Sequence, residues 1–350
     1  MTTVNKTMTA EKVEHIQVAN LPLRNGCRIV ALGGGTGLPV VLRSLKKMIF
    51  PLTSSVENES DSERLLAIVA VTDDGGSSGR LRKEFNILPP GDIRNCLAAL
   101  SDNSDAFPDL FQYRFEKGAG LTGHSLGNLL LTALTDLRGD FIEAIKYFSR
   151  IMNVRGRILP LSLMNVTLAA RFDDGSVVRG ESAIRKYGGT IRNVFLSPSY
   201  TDCPQEAIDA IEAADAIIIG PGSLYTSIIP NLLVKDIASV IRKSRAKKIY
   251  VCNLMTEPGE TEDYTATDHI RAILDHTECD FLQYVVLNNG KISADVARRY
   301  REEGYAPVRC NLEEIRSLGI TSISADIITE KENILRHDEN KLGRILMELI

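Results

Sequence analysis

The sequence predicts an α/β fold, a mostly parallel sheet with helices on both faces and a small β/helical insertion. Three observations carry this. Short runs such as "IVAL" (29–32), "LLAIVAV" (65–71) and "AIIIG" (216–220) are apolar at almost every position, as suits strands buried on both faces. They alternate with amphipathic helical segments, the pattern of βα units. Glycine-rich turns follow several of them, at the sheet edge where ligands of such folds bind.

The elements follow in order. "CRIVAL" (27–32) reads as a strand, followed by a glycine loop and a helix over 38–48. Polar "TSSVENESDSE" (53–63) reads as a surface loop. A strand over 65–72 ends in "DDGGSSGR". A helix near 92–101 follows "PPGD", with Asp92 as its N-cap, and helical segments continue through 125–137 and 140–153. "VTLAARFDDGSVVRGE" (166–181) alternates and turns at Asp174-Gly175, the hairpin of the insertion. The βα alternation then resumes, with strands over 191–197, 248–255 and 281–288 and, over 215–225, a strand breaking into a second glycine loop. Helices are expected over 204–213, 231–243, 265–275 and 292–302 and at the end of the chain. No repeat or linker divides residues 27–350, which are expected to form one domain; residues 1–26 read as a variable N-terminal extension.

Composition narrows the function. The 350 residues are 44% hydrophobic and 25% charged, ordinary for a soluble protein. A formal net charge of −4 argues against a general nucleic-acid binder. No apolar run reaches the roughly 18 residues of a membrane span, and residues 1–26 lack the apolar centre of a signal peptide. The cysteines (Cys27, Cys96, Cys203, Cys252, Cys279 and Cys310) include no C-x-x-C pair. That disfavours a disulfide framework or a zinc site and points to the cytoplasm. Cys27 and Cys252 read as small core residues.

Four glycine-rich stretches carry the chemistry. In "GGGTG" (33–37), Gly33, Gly34, Gly35 and Gly37 free the backbone and Thr36 offers a hydroxyl to an oxyanion. Neither common nucleotide signature is met, because Leu38 and Pro39 stand where a P-loop needs Gly and Lys. Phosphate contact and a plain tight turn both remain open. In "TDDGGSSGRLRKEF" (72–85), Asp73 and Asp74 at a strand end suit a ribose, a Mg²⁺ ion or a proton transfer. Gly76, Ser77, Ser78 and Arg80 then supply small donors and positive charge; the alternative is a solvated loop entering a helix. "GHSLGN" (123–128) matches G-x-S-x-G, but no strand precedes it, so Ser125 is not read as a nucleophile. His124, Ser125 and Asn128 are instead donors to a ligand, or a structural helix cap. In "IGPGSLYTSIIPN" (219–231), Gly220, Gly222, Ser223 and Tyr225 form a second loop on the same rim, suited to a ligand with two ends. The remaining histidines, His15, His269, His276 and His337, read as surface or core imidazoles.

These stretches, with "PPGDIRN" (carrying Asn95) and "YVCNLMTEPGETEDYTATDH", resemble the YvcK or gluconeogenesis factor family of the CofD-like superfamily. The resemblance runs from about Cys27 to the C-terminus. It implies a Rossmann-like fold and a cytoplasmic bacterial protein that binds UDP-sugars such as UDP-N-acetylglucosamine. It also implies a role in cell shape and in growth on gluconeogenic carbon. By spacing from the C-terminus, it places Tyr300 and Arg336 at the UDP-sugar. CofD enzymes transfer a phospholactyl group from a guanosine diphosphate carrier to a deazaflavin alcohol. Here "GGSSGRLRKEF" and "GHSLGN" follow the YvcK pattern instead, so the first expectation is a non-catalytic sensor. Its ligand's diphosphate would lie over Gly33–Gly37 and the Gly220–Ser223 loop. A Mg²⁺-dependent transferase, holding its metal through Asp73 and Asp74, is the second expectation, and an NAD-type dinucleotide binder the third. Regulatory protein partners and a homo-oligomer are left open.

Overall fold

The computed structural model describes residues 26–50, 59–102 and 106–350. Nearly all of the expected extension, and the 53–58 part of the expected loop, lie outside them. Strands β1 (Ile29–Gly33), β2 (Leu65–Val69) and β3 (Arg157–Pro160) build outward in parallel. β4 (Thr167–Phe172), β5 (Val177–Arg179) and β6 (Ile191–Ser197) then form a separate antiparallel sheet. β7 (Ala216–Ile219), β8 (Lys247–Val251), β9 (Tyr284–Asn288) and β10 (Thr321–Ala325) return to the other side of β1. The main sheet is seven-stranded and parallel throughout, in the order β10-β9-β8-β7-β1-β2-β3. A hairpin, β11 (Ile328–Lys331) with β12 (Ile334–His337), precedes the terminal helix Glu339–Leu349.

β1, β2 and β7 are buried at every position. Alternate residues of a strand face opposite sides of a sheet, and the two cores divide accordingly. Val30, Leu32, Ile68, Ile217 and Ile219 face one side, where the small sheet packs through Leu168, Ala170 and Phe172 beside helices 205–212 and 266–277. Ile29, Ala31, Ala67, Val69 and Ile218 face the other, against helices 38–49, 91–100 and 339–349. The strand order reverses at β1, so the turns after β1 and β7 leave neighbouring strands in opposite directions. A crevice opens between them at the carboxyl edge, the usual ligand position in doubly wound sheets.

Four expectations are corrected. β6 is a strand, but it pairs antiparallel with β4 in the small sheet rather than joining the main one. β3 and β10 occupy 157–160 and 321–325, which the sequence pattern left unassigned. The helix expected over 231–243 is broken: a π-turn at Leu224–Ile228 runs into Ile229–Leu232, and a separate helix covers Ile237–Lys243. Asp92 is not an N-cap. Pro90 holds that position, and the Asp92 carboxylate reaches across to the first glycine turn.

Candidate functional site

β1 ends at Gly33, and the chain turns through Gly34–Gly37 into helix Leu38–Ile49. β7 ends at Ile219 and turns through Gly220–Ser223. The two turns are in backbone contact: a Cβ on Gly37 would stand 2.2 Å from the Pro221 carbonyl oxygen. Gly35 has φ +61°, a left-handed conformation that glycine adopts freely, and its N–H donates to Asp92 Oδ2 at 2.7 Å. Asn231 Nδ2 donates to the Gly33 carbonyl at 3.1 Å. Asn253 Oδ1 accepts the Gly222 N–H at 3.1 Å. The turns are therefore fixed from behind.

In front of them lies a cleft of about 520 Å³. Of the residues singled out from sequence, it gathers Gly35, Thr36, Gly37, Asp73, Asn95, Gly222, Ser223, Tyr300 and Arg336. Gly33, Gly34 and Gly220 form the turns without lining it. Tyr300 and Arg336 close the far side together. The Tyr300 hydroxyl accepts the Leu335 N–H at 3.1 Å, which holds β12 where Arg336 projects. The Arg336 side chain has no hydrogen-bond or ion-pair partner among the described residues.

The other residues go elsewhere. Asp73 lines the cleft, but the Asp74 carboxylate accepts the Ser182 N–H at 2.9 Å and lies outside the lining. Asp73 Oδ1 in turn accepts the Gly75 N–H at 2.9 Å, so the two carboxylates expected to hold Mg²⁺ take different backbone partners. Among the described residues, no three His, Cys, Asp or Glu side chains cluster as a metal site.

Ser77, His124, Ser125 and Asn128 form a buried network rather than a ligand wall. Ser77 Oγ meets His124 Nδ1 at 2.9 Å and accepts from Asn128 Nδ2 at 3.0 Å. Arg94 donates to Ser125 Oγ and to Asn128 Oδ1. Ser125 also caps helix Leu126–Arg138 by accepting the Asn128 N–H at 3.2 Å. The network joins helices 76–85, 91–100 and 126–138. Gly76 opens the first of these at φ +45°, and Ser78 Oγ stands where a Cβ on Gly91 would be. Arg80 donates to the Thr122 carbonyl at 2.7 Å, and the buried Tyr225 hydroxyl pairs with that of Tyr264 at 2.8 Å. Ser125→Ala is therefore expected to cost about 1–3 kcal/mol of stability, from a lost cap and an underpaired Arg94. Melting curves check this. Ester hydrolysis that vanished in the variant would contradict the structural role.

Sequence reasoning missed Arg185. It lies on helix Glu181–Tyr187, which the small sheet carries to the cleft. Its Nε donates to Glu260 Oε1 at 3.1 Å. Its Nη2 donates to Ser223 Oγ at 3.2 Å and Thr226 Oγ1 at 3.1 Å, and pairs with Glu181 at 3.1 Å. Burial, and then Glu257, push the Glu260 carboxyl up to about 7. Burial, and then Asp73, push Asp92 up to about 6, and burial raises Glu181 well above the carboxylate range. The surrounding carboxylates outweigh burial at Arg185 and keep it charged. "ESAIRKY" carries no signal beyond an ordinary amphipathic helix. Glu257 and Glu260 lie within "YVCNLMTEPGETEDYTATDH", so a signal for them was present.

Fold and site together define a doubly wound α/β protein with a crevice built from two glycine turns at its switch point, where such folds bind their ligands. The profile of the family described as 2-phospho-L-lactate transferase CofD matches residues 29–328. The gluconeogenesis factor of Bacillus subtilis (strain 168) is 49% identical over 323 residues, covering 92% of this chain and 98% of its own length. That of Halalkalibacterium halodurans is 46% identical over 320 residues, covering 91% and 95%. A crystal structure of a protein from Bacillus halodurans superposes with a TM-score of 0.85 at 45% identity, covering 92% of this chain and 99% of that one. The chain belongs to the gluconeogenesis factor (YvcK) family of CofD-like proteins.

Proposed function

We propose that this chain is a regulatory protein with a gluconeogenesis-factor role, and that its crevice binds a UDP-sugar of the UDP-N-acetylglucosamine type. The observation that carries the reading is the contact of the two glycine turns, with two guanidiniums, Arg185 and Arg336, among the residues that line the cleft in front of them. The diphosphate lies over Gly35–Gly37 and Gly222–Ser223, between Arg185 and Arg336. Charge-assisted hydrogen bonds of this kind are the strong ones. Tyr300 offers a ring face in the same cleft and sets the position of Arg336. The names of the relatives support the gluconeogenic role, and a sugar-nucleotide ligand would make the protein a reporter of sugar supply linked to cell shape. No single described helix is long and apolar enough to cross a membrane.

A second reading, a transferase of a phospho-containing group, is favoured by the family profile and by Asp73, Asp92 and Glu181 in one cleft. A metal held by Asp73 and Asp74 would have to share them with the Gly75 and Ser182 N–H groups they now accept.

Ligand-dependent melting tests the proposal. A ligand that binds only the folded state stabilises it by about 2.7 kcal/mol at a hundredfold excess over Kd. UDP-N-acetylglucosamine or UDP-glucose is expected to raise the Tm by several degrees. Free N-acetylglucosamine is expected to leave it unchanged, since it lacks the diphosphate. A shift with NAD or GDP and none with UDP-sugars would overturn the reading, and turnover of a nucleotide-linked donor would establish the transferase.

A further inference from the structure

The cleft has a neighbour. A second cavity of about 440 Å³ opens at the carboxyl ends of β8 and β9 and shares Asn253 and Leu254 with the first. We propose that this second cavity is the glycosyl compartment of the nucleotide-sugar site, taking the hexose end of the ligand while the first cleft holds the nucleotide. The inference rests on the UDP-sugar reading above.

Asn253 connects the two spaces. It is 9% exposed, and its Oδ1 is committed to the Gly222 N–H in the second glycine turn. Its Nδ2 is buried with no hydrogen-bond partner. A buried donor left unpaired is costly, and an acceptor brought to the junction of the two spaces would satisfy it. Because Asn253 touches the turn assigned to the diphosphate, the group that reaches past it is one of the two bonded directly to that diphosphate, the ribose or the hexose.

The lining indicates which end that is. The second cavity has no aromatic residue and no carboxylate among the residues around it. The rings of Tyr300 and Tyr305 lie in the first cleft, where a base can stack. The uncommitted polar side chains of the second cavity are those suited to hydroxyl and acetamido oxygens: the Asn289 amide and the Lys291 ammonium. Asn289 and Lys291 have no side-chain partner among the described residues. Asn288, by contrast, is consumed in its own turn, bonding both the N–H and the carbonyl of Gly290 at 3.0 Å. Ile292 and Val308 supply apolar wall for the faces of a sugar ring.

Titration calorimetry with UDP-N-acetylglucosamine and with UDP alone tests this. Asn289→Ala combined with Lys291→Ala alters only exposed side chains. Ala297→Phe, on helix Ala294–Glu302, fills the cavity and serves as a second variant. Both variants are expected to weaken UDP-N-acetylglucosamine at least tenfold and to leave UDP within twofold of wild type. Equal losses for both ligands would make the cavity a nucleotide compartment and overturn the proposal. Unchanged binding of both would also overturn it, while the UDP-sugar reading stood. Wild type binding neither ligand would remove that reading and the proposal with it.

Discussion

Gly37→Ala is expected to weaken UDP-sugar binding more than a hundredfold and to lower stability by about 1–3 kcal/mol, the usual range for overpacking. The added Cβ would fall 2.2 Å from the Pro221 oxygen, 2.5 Å from its carbonyl carbon and 2.9 Å from the Gly222 nitrogen. All three are backbone atoms, so no side-chain rotation relieves the clash. Asn231 holds the first turn through the Gly33 carbonyl, and Asn253 holds the second through the Gly222 N–H. The turns must separate, and the surface proposed to carry the diphosphate is displaced. Gly35→Ala calibrates the folding cost of a substitution in the same turn. Its Cβ would meet only Ser227 Oγ at 3.3 Å, and its cost is the left-handed φ of +61°, about 1–2 kcal/mol. Melting and titration calorimetry on both variants separate folding from binding. A folded Gly37→Ala protein with wild-type affinity would remove the turns from the ligand site.

Arg185→Ala should produce the second large effect, in stability as well as binding. The Glu260 side chain has no solvent exposure, and Arg185 is its paired cation. Breaking a fully buried pair costs about 3–5 kcal/mol; with Arg185 itself 46% exposed, about 2 kcal/mol is expected here. The pH dependence has a definite sign. The Glu260 carboxyl is raised from 4.5 to about 7 in the fold, so its contribution to stability is full below pH 4.5 and lost as pH rises through 7. Arg185 limits that rise, and removing it pushes the carboxyl higher. The variant's Tm deficit should therefore be small near pH 5 and largest at pH 8. A deficit that shrank between pH 5 and pH 8 would contradict the pairing. On the proposed reading UDP-sugar binding should weaken at both pH values, because the cleft loses one of its two guanidiniums.

The sequence by itself determined the strands that floor the crevice and the turns that leave them. β1, β2 and β7 are apolar at every residue, and such runs have no stable place except inside a sheet covered on both faces. The glycines after β1 and β7 announce turns because few other residues adopt their dihedrals or allow so close a backbone approach. β10 was not legible, since "TSISA" is short, half-buried and mostly polar. β6 was legible as a strand but not as a member of the small sheet, because local pattern encodes periodicity and not the choice of partner.

Only the tertiary structure decided where the polar motifs go. "GHSLGN" reads as a donor cluster, yet Arg94, 31 residues before Ser125, draws it into a buried network away from the cleft. Asp92 looks like a local helix cap, yet it accepts a hydrogen bond from Gly35, 57 residues away. Arg185 is unremarkable in its own helix and meets Ser223 only because the small sheet packs against the main one. A side chain's charge and hydrogen-bonding capacity belong to the residue. Its partner is set by long-range packing of apolar faces, which brings distant segments to one edge of the sheet.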